Sequence, residues 1–254
     1  MSGPFDLTGR VVLVTGGNGG IGLGMARGLA KAGASLVIAG RNAAKNAAAV
    51  AELTALGAAA QALEVDVADE AACRAMPGEA HARFGRLDVL INNAGIARGG
   101  PPQTTSLADW NAVLQTNLTA VMLASQAAYP IMQAQGGGKI INIGSMYSLF
   151  GAPFVPAYAA SKGGLIQLTK SLAAAWARDN IQVNAILPGW IVTDMTQGAK
   201  NAEAFDARIV ARTPAGRWGE GSDFEGPAVF LSSPASDFVT GASLPVDGGF
   251  AISG

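Results

Sequence analysis

The sequence is poor in the side chains that most often build metal sites and disulfides. Cys73 is its one cysteine and His81 its one histidine. An intramolecular disulfide, a cysteine cluster for a metal and a histidine-rich zinc site are therefore excluded. A serine nucleophile activated by histidine is disfavoured as well, and His81 is interpreted as a surface residue of a helix. We expect no bound metal.

Charge and long apolar runs are also scarce. Charged residues make up 14% of the chain and the net charge is −1, so no basic surface for nucleic acid is expected. Apolar runs such as VVLVT and SLVIA have the length of strands and fall far short of the ~20 residues of a membrane span. The first ten residues lack a basic region followed by an apolar core, which argues against a secretory signal. We predict a cytoplasmic protein with no membrane partner.

Strand-like and helix-like segments alternate along the 254 residues, half of which are hydrophobic. This order predicts βαβ units and a parallel sheet, and strands that are apolar on both faces predict helices on both sides. The predicted fold is one doubly wound α/β domain over residues 1–254. Residues 193–225 differ in pattern and are interpreted as a flexible segment over a site. The predicted strands cover 10–15, 35–40, 62–67, 87–92, 139–144, 181–187 and 243–247, and the main helices cover 21–32, 43–57, 69–84, 107–134 and 156–179.

A glycine-rich stretch, TGGNGGIG, follows the first predicted strand and leads into a helix. Missing side chains let backbone N–H groups and the helix N-terminus approach a diphosphate. A glycine-rich turn without a ligand is the alternative, but the position at the first strand of a βαβ series favours nucleotide binding. The residues assigned to this loop are Gly16, Asn18, Gly20, Ile21 and Gly22.

The second strand ends without the acid that often binds the ribose hydroxyls of NAD, and Arg41 and Asn42 follow it. A guanidinium can bind a 2′-phosphate through two hydrogen bonds, which favours NADP over NAD. If Arg41 instead stacks on adenine or points to solvent, NAD is tolerated. Asp66 and Val67 are placed at the end of the third strand, where the carboxylate could accept from the adenine amine. The alternative for Asp66 is a turn or helix-capping role.

Tyr158 and Lys162 are four residues apart, so on a helix their side chains leave the same face. A neighbouring cation favours the phenolate and should lower the tyrosine pKa, which creates a proton-transfer group near neutrality. A solvated lysine beside an amphipathic tyrosine is the alternative. Ser161 is a nearby hydroxyl, interpreted as a helix residue near the cofactor.

Taken together, these motifs resemble the short-chain dehydrogenase/reductase family over essentially the whole chain. The resemblance rests on the glycine loop, Asp66, the run Asn92-Asn-Ala-Gly95, Asn117, Ser145 thirteen residues before Tyr158, the segment Pro188-Gly-Trp-Ile-Val-Thr193 and Val246-Asp-Gly-Gly249. It implies a single-domain Rossmann-type fold with a mostly parallel seven-stranded sheet. It also implies an NAD(P)-dependent oxidoreductase of alcohols and ketones that forms a homotetramer or homodimer.

The resemblance also implies residue roles. Tyr158 is expected to be the general acid/base, Lys162 to lower its pKa and hold the nicotinamide ribose, and Ser145 to donate to the substrate oxygen. Asn117 is expected to hold a water that links Lys162 to solvent. Asn92 and Thr15 could instead serve only the sheet and a turn. Further cofactor contacts are expected from Asn93, Ala94, Gly95, Pro188, Gly189, Ile191 and Thr193.

Substrate signals are fewer. Arg98 and the basic residues Lys200, Arg208 and Arg212 suit a carboxylate, and local stretches are similar to family members that act as gluconate 5-dehydrogenases or 2-deoxy-gluconate 3-dehydrogenases. Those members often carry a second basic residue where this chain has Gly99. An apolar wall that suits a polyol or a ketone is expected from Met146, Tyr147, Trp190 and Met195. A 3-oxoacyl-carrier-protein reductase and a non-catalytic dinucleotide sensor are the alternatives.

Overall fold

Seven parallel strands form one sheet in the computed structural model, which describes residues 3–253. The sheet order is β3-β2-β1-β4-β5-β6-β7, and every neighbouring pair is parallel. The doubly wound fold predicted from the sequence is confirmed. The strands are β1 Val11–Thr15, β2 Ser35–Gly40, β3 Ala60–Glu64, β4 Val89–Asn92, β5 Gly138–Ile143, β6 Ile181–Pro188 and β7 Ser243–Val246.

The chain moves outward from β1 to β3 and then returns to place β4 on the other side of β1. This reversal creates a crevice beyond the carboxyl ends of β1 and β4, where ligands of open α/β sheets bind. The helices are α1 Gly20–Lys31, α2 Ala43–Ala55, α3 Glu70–Phe84, α4 Leu107–Leu114, α5 Ala120–Ala134, α6 Pro156–Trp176, α7 Gln197–Lys200, α8 Glu203–Arg212 and α9 Glu225–Ser232.

Two hydrophobic cores lie on opposite faces of the sheet, because successive strand side chains point to opposite sides. Val12 and Val14 pack with side chains of α1, α2 and α9, whereas Leu13 packs with side chains of α3, α5 and α6. Since both faces are covered, β1 is buried along its whole length. This burial fixes the strands that carry the site at their carboxyl ends.

Most boundaries lie within about two residues of the sequence prediction, and three further differences are larger or bear on the site. The third strand ends at Glu64, so Asp66 and Val67 lie in the turn beyond it. The long helix predicted over 107–134 is divided by a π-helical turn, Gln115–Thr119, between α4 and α5. The helix predicted to reach residue 179 ends at Trp176 and continues as a single 3₁₀ turn. Apolar periodicity continues across these points, so the sequence pattern alone did not mark them.

The segment over residues 193–225 folds into α7, α8 and a 3₁₀ turn, Gly221–Phe224, joined by short loops. Its mobility stays a prediction. Within residues 3–253, no helix is long and apolar enough to cross a membrane. The same residues contain no group of three or more histidine, cysteine or acidic side chains placed to hold a metal.

Candidate active site

A cleft of about 610 Å³ opens at the carboxyl edge of the sheet. It brings together all the cofactor-binding residues predicted from the sequence, from the glycine loop to Thr193, and also Arg98, Ser145, Tyr158 and Lys162. Several residues predicted to serve the site do not line it, namely Asn117, Met146, Tyr147, Trp190, Lys200, Arg208 and Arg212. The topology explains the convergence, since parallel strands end at one edge and their following loops meet there.

The glycine loop has a backbone shape that side chains would block. Gly16 and Gly20 have φ values of 62° and 50°, in the left-handed region. A Cβ on Gly22 would lie 2.2 Å from the Gly16 carbonyl oxygen. α1 follows directly, and its N-cap residue Gly19 provides no side-chain hydrogen bond to the first turn. The exposed backbone N–H groups and helix dipole fit the diphosphate of a dinucleotide.

Thr15 and Asn93 fasten this loop to the neighbouring strand. The Thr15 hydroxyl accepts from the backbone N–H of Asn93 at 2.9 Å and of Ala94 at 3.0 Å. The Asn93 amide donates to the carbonyls of Thr15 and Gly16, each at 3.0 Å. The Asn93 side chain therefore holds the loop in place. Thr15 connects the end of β1 to the end of β4, so its role is not limited to capping a turn.

The other end of the cleft carries two cations. Arg41 is 68% exposed, and its Nη1 lies 3.7 Å from Asp66 Oδ2. Asn42 accepts from the Lys45 backbone N–H at 2.9 Å and so caps α2. Lys45 Nζ donates to Asp194 Oδ2 across the cleft at 2.6 Å. Lys45 was not predicted from the sequence as a cofactor-binding residue. The signal was present, because an asparagine such as Asn42 is a common N-cap, and this would place Lys45 in the first turn of the helix, near Arg41.

Asp66 has the turn role, one of the two that the sequence left open, and it also lies at the cleft. Its Oδ1 accepts from the Ala68 backbone N–H at 3.0 Å, as a turn aspartate does. It also lines the cleft beside Val67. Contact with adenine stays a prediction, and it would come from a turn after β3 rather than from the strand end.

Tyr158 and Lys162 leave the same face of α6. Lys162 is 4% exposed, its Nζ donates to the Ile143 carbonyl at 2.6 Å, and it lies 5.5 Å from the Tyr158 ring centroid. Burial lowers the pKa of Lys162 to about 8. Burial also raises the pKa of Tyr158, although a hydrogen bond with Ser145 opposes that rise.

The net direction is opposite to the sequence prediction of a lowered Tyr158 pKa. The largest influence on this pKa is loss of water around the phenolate, and charge repulsion from the Tyr147 phenol adds to it. A positive charge brought against the phenol by a bound oxidised nicotinamide would act in the opposite sense. The lowering effect of Lys162 stays a prediction.

Asn117 lies one layer behind the cleft wall, inside the π-helical turn. Its Oδ1 accepts from the Ile96 N–H, and its Nδ2 donates to the Ile96 carbonyl, both at 2.9 Å. Nδ2 also donates to Ser161 Oγ at 3.1 Å, and Ser161 donates to the Tyr158 carbonyl at 2.7 Å. Asn117 thus connects the loop after β4 to α6. Its role in holding a water stays a prediction.

Tyr147 and Trp190 pack in an aromatic cluster rather than along the cleft wall. The Tyr147 ring centroid is 6.4 Å from that of Tyr158 and 6.3 Å from that of Trp190, both edge to face. Trp190 packs against Phe205 of α8 at 5.0 Å. The sequence missed this arrangement because the contacts join segments that are far apart in the chain.

Arg98 lines the cleft as predicted, but it already forms an ion pair with an acidic side chain. Its guanidinium pairs with Asp109 of α4, and Ser106 donates to the same carboxylate at 2.7 Å. The hydrogen bond from Arg98 lowers the pKa of Asp109. A substrate carboxylate would therefore compete with Asp109 for this cation.

Comparison with known proteins shows that the chain is similar to several named oxidoreductases. A family model described as Enoyl-(Acyl carrier protein) reductase matches residues 16–251. The chain is 45% identical over 247 residues to 2-dehydro-3-deoxy-D-gluconate 5-dehydrogenase of Escherichia coli strain K12, with 97% of each covered. A gluconate 5-dehydrogenase from Burkholderia cenocepacia J2315, solved in complex with NADP and tartrate, aligns with a TM-score of 0.94, 44% identity, and 99% and 98% coverage. A short-chain type dehydrogenase/reductase from Mycobacterium marinum aligns with a TM-score of 0.92, 32% identity and 97% coverage of both chains.

Proposed function

The chain belongs to the short-chain dehydrogenase/reductase family, and from this premise we propose that it interconverts a secondary alcohol and a ketone of a sugar acid, with NADP as the preferred cofactor. One observation carries the proposal: Ser145, Tyr158 and Lys162 line the same cleft as the glycine loop. A site that only bound a dinucleotide would not need a proton-transfer group beside it.

The residues of the chain handle the proton and the orientation. Bound nicotinamide supplies or accepts the hydride, and the protein sets geometry and charge around it. Ser145 donates to the substrate oxygen, and Tyr158 takes the hydroxyl proton on oxidation or returns it on reduction. Lys162 lies in the cleft wall beside Tyr158 and favours its ionised form when protonated.

NADP is favoured by charge at the end of β2. Arg41 is largely exposed at the cleft and Lys45 lies beside it, so both can reach a 2′-phosphate. Asp66 pairs with Arg41, and Asp194 pairs with Lys45. A bound 2′-phosphate would displace these carboxylates or share the two cations with them. The relative from Burkholderia cenocepacia supports this choice, since its structure contains NADP.

A sugar-acid substrate is supported by the two named relatives, whose names refer to gluconate and to 2-dehydro-3-deoxy-D-gluconate. Two cations near Tyr147, outside the lining of the cleft, suit a carboxylate. Arg208 and Arg212 of α8 act on Tyr147, where their charges oppose the rise in its pKa caused by burial. Neither forms an ion pair with a carboxylate within residues 3–253, whereas Arg98 does. We infer that α8 provides the substrate carboxylate with its first partner.

The function is tested by nicotinamide absorbance, with NADPH or NADH supplied for ketone reduction and NADP⁺ or NAD⁺ for alcohol oxidation, each at a fixed concentration. The panel contains 5-keto-D-gluconate, gluconate and 2-dehydro-3-deoxy-D-gluconate, with sorbitol and an acetoacetyl thioester as non-acid and acyl controls. Turnover confined to the sugar acids, and faster with NADP(H), is the expected result. Turnover of the thioester alone would favour the acyl-carrier-protein reductase alternative, and binding without any turnover would favour the sensor alternative.

The assembly and the cellular location stay predictions. A homotetramer or homodimer is supported by apolar side chains that are exposed to solvent on the surface of the single chain. Phe238 is fully exposed, and Ala174 and Ala175 of α6 also face outward. Sedimentation at micromolar concentration should give a species larger than the 25.5 kDa chain. A monomer under these conditions would contradict this proposal. The cytoplasmic location predicted from the sequence is likewise open.

A further inference from the structure

A second pocket, which we call the amino-edge pocket, lies at the opposite edge of the sheet from the cleft. It has a volume of about 280 Å³ and forms where β4, β5 and β6 begin. It shares no residue with the cleft. The charged and amide side chains that line it include Arg10, Arg86, Asp88, Lys139, Gln182 and Asp237.

One buried carboxylate serves two guanidinium groups in this pocket. Asp88 Oδ1 accepts from Arg10 Nη1 at 2.9 Å and from Arg86 Nη2 at 2.7 Å. Its Oδ2 accepts from Arg86 Nε at 2.7 Å and from the Val11 N–H at 2.9 Å. Burial alone would raise the pKa of Asp88, but these hydrogen bonds hold it below its ordinary value. Asp88 is therefore fully engaged and neutralises only one of the two arginines.

Lys139 adds a third cation and is almost completely buried. Its Nζ lies 2.9 Å from Asp237 Oδ1, 3.2 Å from Gln182 Oε1 and 3.1 Å from Ser236 Oγ. The partner Asp237 is mostly exposed, so water screens its charge. Three cations and two carboxylates thus line the pocket, which leaves one positive charge in excess.

The pocket also keeps donors without acceptors. In residues 3–253, Arg10 uses only Nη1 and Arg86 only Nε and Nη2, so Nε and Nη2 of Arg10 and Nη1 of Arg86 have no protein partner. Ser232 lines the pocket at the end of α9, and its buried hydroxyl has no hydrogen-bond partner among the same residues. Native proteins rarely leave a buried hydroxyl such as that of Ser232 unpaired. Arg10 and Arg86 are each 46% exposed, so their free donors are open to a ligand or to water.

We propose that the amino-edge pocket binds a small oxyanion, a phosphate or a carboxylate, through the remaining N–H donors of Arg10 and Arg86. The anion balances the excess charge and offers the multiple acceptors that guanidinium groups bind well. The volume limits the ligand to a phosphate or a short organic acid. This site is separate from the cofactor cleft and from the sugar-acid reaction.

The test uses the full chain with saturating NADP, so that anions cannot occupy the phosphate positions of the cofactor. Inorganic phosphate and acetate, which has no hydroxyl to oxidise, are titrated separately by calorimetry at constant ionic strength. We expect saturable binding of at least one of them, weakened about tenfold or more in Arg10→Gln. Arg86 keeps its two hydrogen bonds to Asp88 in this variant, so the fold should persist. Arg83→Gln, an exposed arginine outside the pocket, should bind like the wild type.

A second measurement does not depend on the variant folding. Crystals of the NADP complex soaked in selenate should show an anomalous peak next to Arg10 and Arg86. Equal affinity of wild type and Arg10→Gln, absence of saturation below about 10 mM, or anomalous peaks only elsewhere would each overturn the proposal. Phosphate binding without acetate binding would assign the site to phosphate, and the reverse would assign it to organic acids.

Discussion

At the scale of single residues, Tyr158 is the group on which the proposed reaction depends. Tyr158→Phe keeps the ring and its packing against Tyr147 but removes the proton that must move. We expect kcat to fall about 10³-fold, within the range for loss of a general acid/base, while NADPH still binds. The measurements are steady-state turnover and nicotinamide fluorescence.

The matched control is Tyr129→Phe, which removes a hydroxyl bonded to Asp179 far from the cleft. It should leave turnover within about twofold, because the lost hydrogen bond is remote from the reaction. If Tyr158→Phe kept more than about a tenth of wild-type turnover, the general acid/base would have to be another group.

Cofactor preference is also decided by single side chains. Arg41→Ala and Lys45→Ala each remove a cation that can meet a 2′-phosphate, which NADPH has and NADH lacks. We expect each to raise KM for NADPH about tenfold or more, with KM for NADH changed about twofold at most. Arg74→Ala is the control, since Arg74 pairs with Glu70 on α3 outside the cleft. If KM rose equally for NADPH and NADH, Arg41 and Lys45 would not be the residues that contact the 2′-phosphate.

At the scale of elements, the turn between β1 and α1 depends on the absence of a side chain. A Cβ at Gly22 would meet backbone at 2.2 Å, and backbone cannot move aside cheaply. Gly22→Ala should therefore destabilise the fold by about 1–3 kcal/mol and weaken NADPH binding. Urea unfolding and calorimetric titration measure the two effects.

Gly78 in α3 provides the opposite case. Nothing lies within 4 Å of a Cβ there, and the position is exposed inside a helix. Gly78→Ala should stabilise the chain by about 0.5–1 kcal/mol and leave cofactor binding unchanged, because alanine is the better helix former. Equal destabilisation by both variants would show that close packing at Gly22 is not the cause.

At the scale of the whole molecule, the buried Lys162 ammonium makes stability depend on pH. Its pKa is about 8 in the folded chain against an ordinary value of 10.5. Between these values the unfolded chain binds more protons, so the Lys162 contribution to the unfolding free energy rises with pH. The wild type should gain about 2 kcal/mol relative to Lys162→Met between pH 7 and pH 9.5.

Urea unfolding at the two pH values measures this gain, and the comparison with Lys162→Met cancels contributions that both proteins share, such as that of Cys73. Lys170→Met, an exposed position on the same helix, should run parallel to the wild type. If the unfolding free energy of Lys162→Met changed with pH in the same way as that of the wild type, Lys162 would not be buried as a titrating amine.

The fold class, the family and most of the cleft could be predicted from the sequence, because each depends on local spacing. The glycine loop, the Tyr158 and Lys162 pair and the alternation of strands with helices are short-range patterns, and parallel topology carries them to one edge. The sequence could not place Lys45 opposite Asp194, nor enclose Tyr147 and Trp190 in an aromatic cluster.

Those contacts and the direction of the Tyr158 pKa shift depend on packing between distant parts of the chain. Lys45 and Asp194 are 149 residues apart in the chain, so no local pattern records their meeting. The pKa depends on how much water burial removes, which is a property of packing rather than of spacing. The amino-edge pocket has the same origin, since its cations come from the starts of separate strands. Spacing along the chain sets which groups can act, and packing sets their charge and their partners.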